Sequence, residues 1–107
     1  MTVNGPFSPE EMGLSLIHEH ILVDFIGANE TNPQRWNDEE VIRVVLPHLA
    51  RTKAFNVNTF VDCTPAYLGR DVFLLKKIAD STGLNIITNT GYYGAVQNKY
   101  LPAHAFT

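Results

Sequence analysis

The chain has 107 residues, the size of one small domain, and 45% of them are hydrophobic, which is ordinary for a soluble globular protein. Its net charge is −3 and Lys76-Lys77 is its only adjacent basic pair, so no basic stripe exists to neutralise nucleic-acid phosphates. A single cysteine, Cys63, excludes an internal disulfide, no stretch approaches the roughly 18 apolar residues of a membrane span, and the start lacks a signal-peptide pattern, so a soluble, cytoplasmic protein is expected.

Gly5-Pro6 and Ser8-Pro9-Glu10-Glu11 break regular structure, and residues 3 to 12 read as a surface lead-in with a helical turn. A first strand is expected from about Gly13 to Ile21. Strand side chains alternate between faces, which puts Leu14, Leu16, His18 and His20 on one side and Ser15, Ile17, Glu19 and Ile21 on the other. Two imidazoles then converge on one spot, whereas in a helix they would lie about 200° apart and could not chelate together. Leu22 stands where the helical His-Glu-x-x-His motif needs its second histidine, so that motif is absent. On spacing alone, two polar residues at a strand end compete with a metal-binding pair as the explanation.

Residues Val23 to Asn37 form a long polar loop, a class that is often functional. Within it, Asp24 either orients an imidazole or caps the loop, and Trp36 is expected to cover an apolar face. Asn37 is a good N-cap, and Asp38, Glu39 and Glu40 suit the positive end of a helix dipole. Val41, Val44, Val45, Leu49 and Thr52 predict the buried face of that helix, Pro47 predicts a kink or a split near Leu46, and Asn56 suits its end. His48 reads as a surface histidine. Val57 to Thr64 is β-rich and bounded by Pro65, with Cys63 expected to be buried in it. Asp71 then caps a helix with Val72, Leu75, Ile78, Ala79 and Thr82 on its apolar stripe and Gly83 as its stop. A third strand runs from Leu84 to Thr90, followed by Gly91-Tyr92-Tyr93-Gly94 and a tail, Ala95 to Thr107, that reads as loop or short irregular helix.

Strands alternating with helices imply parallel strands joined by right-handed crossovers. All three loops that follow the strands then lie at one sheet edge, where α/β folds place ligands. No Gly-x-Gly-x-x-Gly follows the first strand, which argues against a doubly wound nucleotide-binding domain.

Gly13-Leu14-Ser15-Leu16-Ile17-His18-Glu19-His20, Thr59-Phe60-Val61-Asp62-Cys63-Thr64, Gly69-Arg70-Asp71, Thr82-Gly83 and Asn89-Thr90-Gly91-Tyr92-Tyr93 follow one another in an order that resembles the phosphotriesterase family of the amidohydrolase superfamily. The resemblance covers almost the whole chain. It implies a fold class of α/β, with this chain as the N-terminal three strands and two helices of a (β/α)₈ TIM barrel, and residues 1–107 as a partial barrel domain. It implies a binuclear divalent-metal centre, usually zinc, with His18 and His20 as the first-strand ligands of the more buried ion and Tyr93 beside the substrate's leaving group. Arg70-Asp71 is read as structural, an N-cap plus an ion pair, and Asp62 as either a support near the metals or a loop hydrogen bond.

The activity implied is metal-dependent hydrolysis of a small-molecule phosphotriester, lactone or carboxylic ester, in which divalent ions lower the pKa of a shared water from near 15.7 towards about 7. A complete barrel needs roughly 250 residues. The family's further ligands are a carboxylated lysine on strand four, histidines on strands five and six and an aspartate on strand eight, none with a counterpart here. His104, in a Pro-containing tail, is no substitute. The chain therefore reads as the N-terminal part of a larger enzyme, inactive by itself. A non-catalytic module that binds a metal weakly, or pairs through open strand edges as a homodimer, is the competing reading.

Overall fold

A computed structural model describes residues 1–106. Three strands, β1 (Leu14–Glu19), β2 (Val57–Asp62) and β3 (Asn85–Thr88), form one parallel sheet in the order β1-β2-β3. Helix α1 (Asp38–Ala54) connects the first pair and α2 (Val72–Thr82) the second. Short 3₁₀ turns at Pro9–Glu11, Pro33–Arg35 and Ala103–Phe106 punctuate the lead-in, the long loop and the tail. No helix is long and apolar enough to cross a membrane among the described residues.

The helix ends follow local chemistry. The Asn37 and Asp71 side chains accept from the backbone N–H of Glu40 and Leu74, capping donors that have no partner within the helix. Gly83 ends α2 at φ 75, where its N–H reaches the Ala79 carbonyl. Pro47 does not split α1, which runs unbroken for 17 residues. The apolar contacts of Val41, Val45 and Leu49 outweigh one lost backbone bond.

One core holds the layers together. Leu49 of α1 and Leu74, Leu75, Ile78 and Ala79 of α2 pack with Val57, Phe60, Leu84 and Ile86, so both helices lie on the same face of the sheet. Two expected core positions fall outside it. Val44 is 54% exposed in an open groove beside Ile21 and Leu22, at the β1 side of the sheet where no other described strand or helix packs, and Val72 is exposed at the first turn of α2. The bottom of the sheet is tied to the lead-in, where the Thr59 hydroxyl donates to the Met12 carbonyl at 2.7 Å and the Asn85 amide to Glu11.

The register of β1 on β2 corrects the expected alternation. Leu16 pairs with Phe60 but Glu19 with Asp62, three residues on one strand against two on the other. Such an extra residue is a bulge, and it shifts every later side chain to the other face. Leu16 packs into the core, whereas Glu19 takes the core-side register and His18 and His20 are turned off the face that Leu16 uses. Both histidines are exposed.

Candidate metal centre

His18 is the penultimate residue of β1 and His20 follows its end. Their rings stand edge to face with centroids 5.5 Å apart, so the two imidazoles share one spot as the spacing predicted. Only the face differs, and the bulge supplies the reason.

A clamp at the ends of β1 and β2 fixes that spot. Asp62 is 1% exposed, and its two carboxylate oxygens accept from the backbone N–H of Ile21 at 2.9 Å and of Thr64 at 2.8 Å. The Cys63 N–H donates to the Glu19 carbonyl at 2.8 Å, continuing the pairing past the strand ends. Thr64, 1% exposed, then lies 2.9 Å from His20 Nδ1 through its hydroxyl. When Nδ1–H donates to that hydroxyl, the lone pair of Nε2 is left to face outward, the tautomer a metal ligand needs. Thr64 escaped the sequence reading because its bond to His20 spans 44 residues. Asp62 makes loop hydrogen bonds, one of its two expected roles, and through Thr64 these support the imidazole.

The other candidates separate. Asp24 caps the long loop: its carboxylate takes the Ile26 N–H, the Thr31 hydroxyl at 2.8 Å and Arg35 at 2.7 Å, and does not touch the histidines. Burial pushes the Asp24 carboxyl up, but its bonds to Arg35, Thr31 and Ile26 and the Arg35 charge outweigh burial and hold it below the usual carboxylate value. Arg70 has no ion pair among the described residues and instead donates from Nη1 to the Asn89 carbonyl at 2.6 Å, joining the loops after β2 and β3. Asp71 does cap α2, and its second oxygen accepts from Trp36 Nε1 at 3.1 Å, which seats the indole against the core as expected. Cys63 is half-buried, and His48 is exposed.

Tyr93 is 38% exposed and leans on Tyr100, which in turn packs on Phe25, so it belongs to an aromatic group joining the tail to the long loop. Tyr92 points elsewhere, onto Tyr67 and His104, whose Nε2 lies 2.9 Å from its hydroxyl. The loops after β1 and β2 approach closely at Gly69: at φ +115, a Cβ there would stand 2.9 Å from the Asp24 nitrogen, so glycine is needed both for the turn and for the approach.

In donor chemistry, two adjacent imidazoles, one held by a buried hydroxyl, fit two positions on a borderline divalent ion. No group of three or more His, Cys, Asp or Glu side chains placed to hold a metal exists among the described residues.

A parallel βαβαβ unit with its chemistry at the C-terminal strand ends is the building block of an α/β barrel. The sequence profile of the Phosphotriesterase family matches residues 1–107, and the chain belongs to that family. It is 34% identical over 84 residues to the aryldialkylphosphatase of Saccharolobus solfataricus, covering 78% of this chain and 27% of that protein. Against the phosphotriesterase homology protein of Mycobacterium tuberculosis the figures are 33% over 93 residues, 86% and 28%. The organophosphorus hydrolase from Deinococcus radiodurans superposes with a TM-score of 0.76 at 27% identity, over 86% of this chain and 28% of the other. The chain thus spans little more than a quarter of the length of these relatives, and its sheet and helices are the N-terminal three strands and two helices of their TIM barrel.

Proposed function

We propose that this chain is the N-terminal segment, a partial barrel domain over residues 1–107, of a divalent-metal-dependent hydrolase, with zinc as the metal and ester bonds as the target. His18 and His20 are two of the ligands, and the parts of the barrel beyond this chain's share of its relatives supply the rest. The observation that carries this reading is the pairing of the two rings at the end of β1 with His20 Nδ1 held by Thr64. When bound, the metal acts as a Lewis acid and lowers the pKa of water. Thr64 fixes which nitrogen of His20 is presented, Asp62 holds Thr64 and the turn after β1 in place, and Tyr93 walls the space where a leaving group departs. Two relatives bear names that specify phosphorus esters, which favours a phosphotriester over a lactone or carboxylic ester as the first substrate to try.

The test uses the full-length protein. Metal content by plasma mass spectrometry and turnover of an aryl dialkyl phosphate, an aryl ester and a lactone are measured for the parent, His18→Ala, His20→Ala and Thr64→Val. The reading expects both histidine variants to lose bound metal and turnover, and Thr64→Val to weaken metal binding by about 10–100-fold. Undiminished metal content in His18→Ala and His20→Ala would overturn it.

A further inference from the structure

A cavity of about 330 Å³ opens between the three loops that follow the strands, and neither His18 nor His20 lines it. Its volume falls in the range of small-molecule sites, about 300–1,000 Å³. Three aromatic side chains, Trp36, Tyr67 and Tyr92, form its walls, with Asn32 and Thr90 adding polar groups. Arg70 is the only charged residue among those lining it, and no carboxylate does.

Two further observations bear on what this space holds. The Arg70 fork is only partly used: Nη1 donates to the Asn89 carbonyl, while Nε and Nη2 have no protein acceptor among the described residues. The neighbouring carboxylates cannot serve it cheaply, since Asp71 already takes the Leu74 N–H and the Trp36 indole, and Asp62 two backbone donors. Tyr67, meanwhile, sits at φ 66, a left-handed conformation uncommon for a residue other than glycine. That conformation stands its ring edge to face with Tyr92, at 5.8 Å between centroids, on the cavity wall. Sparsely populated backbone of this kind collects at ligand-binding positions.

We propose that this cavity binds a small monoanionic carboxylate with a flat aromatic body. The planar guanidinium fork matches a carboxylate, and one cation balances one negative charge, whereas a phosphate monoester carries about −1.5 to −2 and needs further donors. Flat rings are the bodies that offset and edge-to-face aromatic walls receive best. The site uses none of the residues assigned to the metal centre.

Benzoate is the probe and benzamide its uncharged counterpart, titrated into the full-length protein while the Trp36 indole N–H resonance is followed, with Trp36→Phe assigning it. The expected result is a saturable shift with benzoate, none with benzamide, and no change on adding EDTA. Arg70→Gln weakens binding by about tenfold or more through loss of the charge-assisted pair. Tyr67→Gly, which suits the left-handed backbone and keeps the fold, also weakens it by removing a wall. Equal binding of benzamide, unchanged affinity in both variants, abolition by EDTA or the absence of a saturable shift in the folded parent would each overturn the proposal, and none of these depends on the hydrolase reading.

Discussion

The two faces of the sheet are built on opposite terms. On the helix side, Ile78 and Ile86 are 0% exposed and Leu74 1%, a packed interior made by residues that are all present in the chain. On the other side Ile17 is 75% exposed and both histidine rings stand open. The first face determines whether the segment holds its shape, and the second carries groups whose contribution to folding is small. Stability and chemistry are therefore separable by substitution, and four experiments probe that division.

The largest effect is expected from Ile78→Ala, which removes a fully buried side chain and leaves a cavity; about 2–5 kcal/mol should be lost in denaturant unfolding of the full-length protein. Asp62→Ala comes next, at about 1–3 kcal/mol, because two backbone donors at the strand ends lose their acceptor. This variant should also disturb the His20 ring, visible as a shifted imidazole resonance, and so tests whether the clamp links the two faces.

The third effect depends on pH. Asp24 titrates below its unfolded value of about 3.9, so its contribution to the long loop is complete above that value and lost as pH falls through the folded pKa. Protection factors of the amides in residues 24–35, which remove the intrinsic pH dependence of exchange, should fall as pH drops below about 3.9, by a margin that Arg35→Met shrinks. A flat profile in the parent would remove the loop-capping role. Smallest of all, when both proteins are compared metal-free in the presence of a chelator, His18→Ala should change stability by no more than about 0.5 kcal/mol, as for an exposed residue away from any packed feature. A loss as large as that of Ile78→Ala would erase the distinction between the faces.

What was legible in the sequence was local. Asn37, Asp71 and Gly83 mark helix ends because capping involves a side chain and a backbone group a few residues apart. The strands and their parallel order were readable because each is a short apolar run separated by a helical period. The bulge in β1 was not, since it exists only as a mismatch of spacing against β2. Nor were Thr64 on His20 or Arg70 on Asn89, contacts that close only when loops from different strands meet. The histidine pair itself needed nothing beyond two positions one residue apart, which is why it stood out early and why its support did not.

The bulge between Leu16 and Glu19 also makes the segment unequally tolerant of changes in length. Deleting the codon for Ile17 would straighten the strand while Leu16 stays inward and both histidines stay outward, since simple alternation then suffices. Inserting one codon at the same place also restores simple alternation with the histidines outward, but it slides them two residues along β2, past the Glu19–Asp62 pairing and the Thr64 contact. Among homologous genes, this position should shorten by one residue more readily than it lengthens.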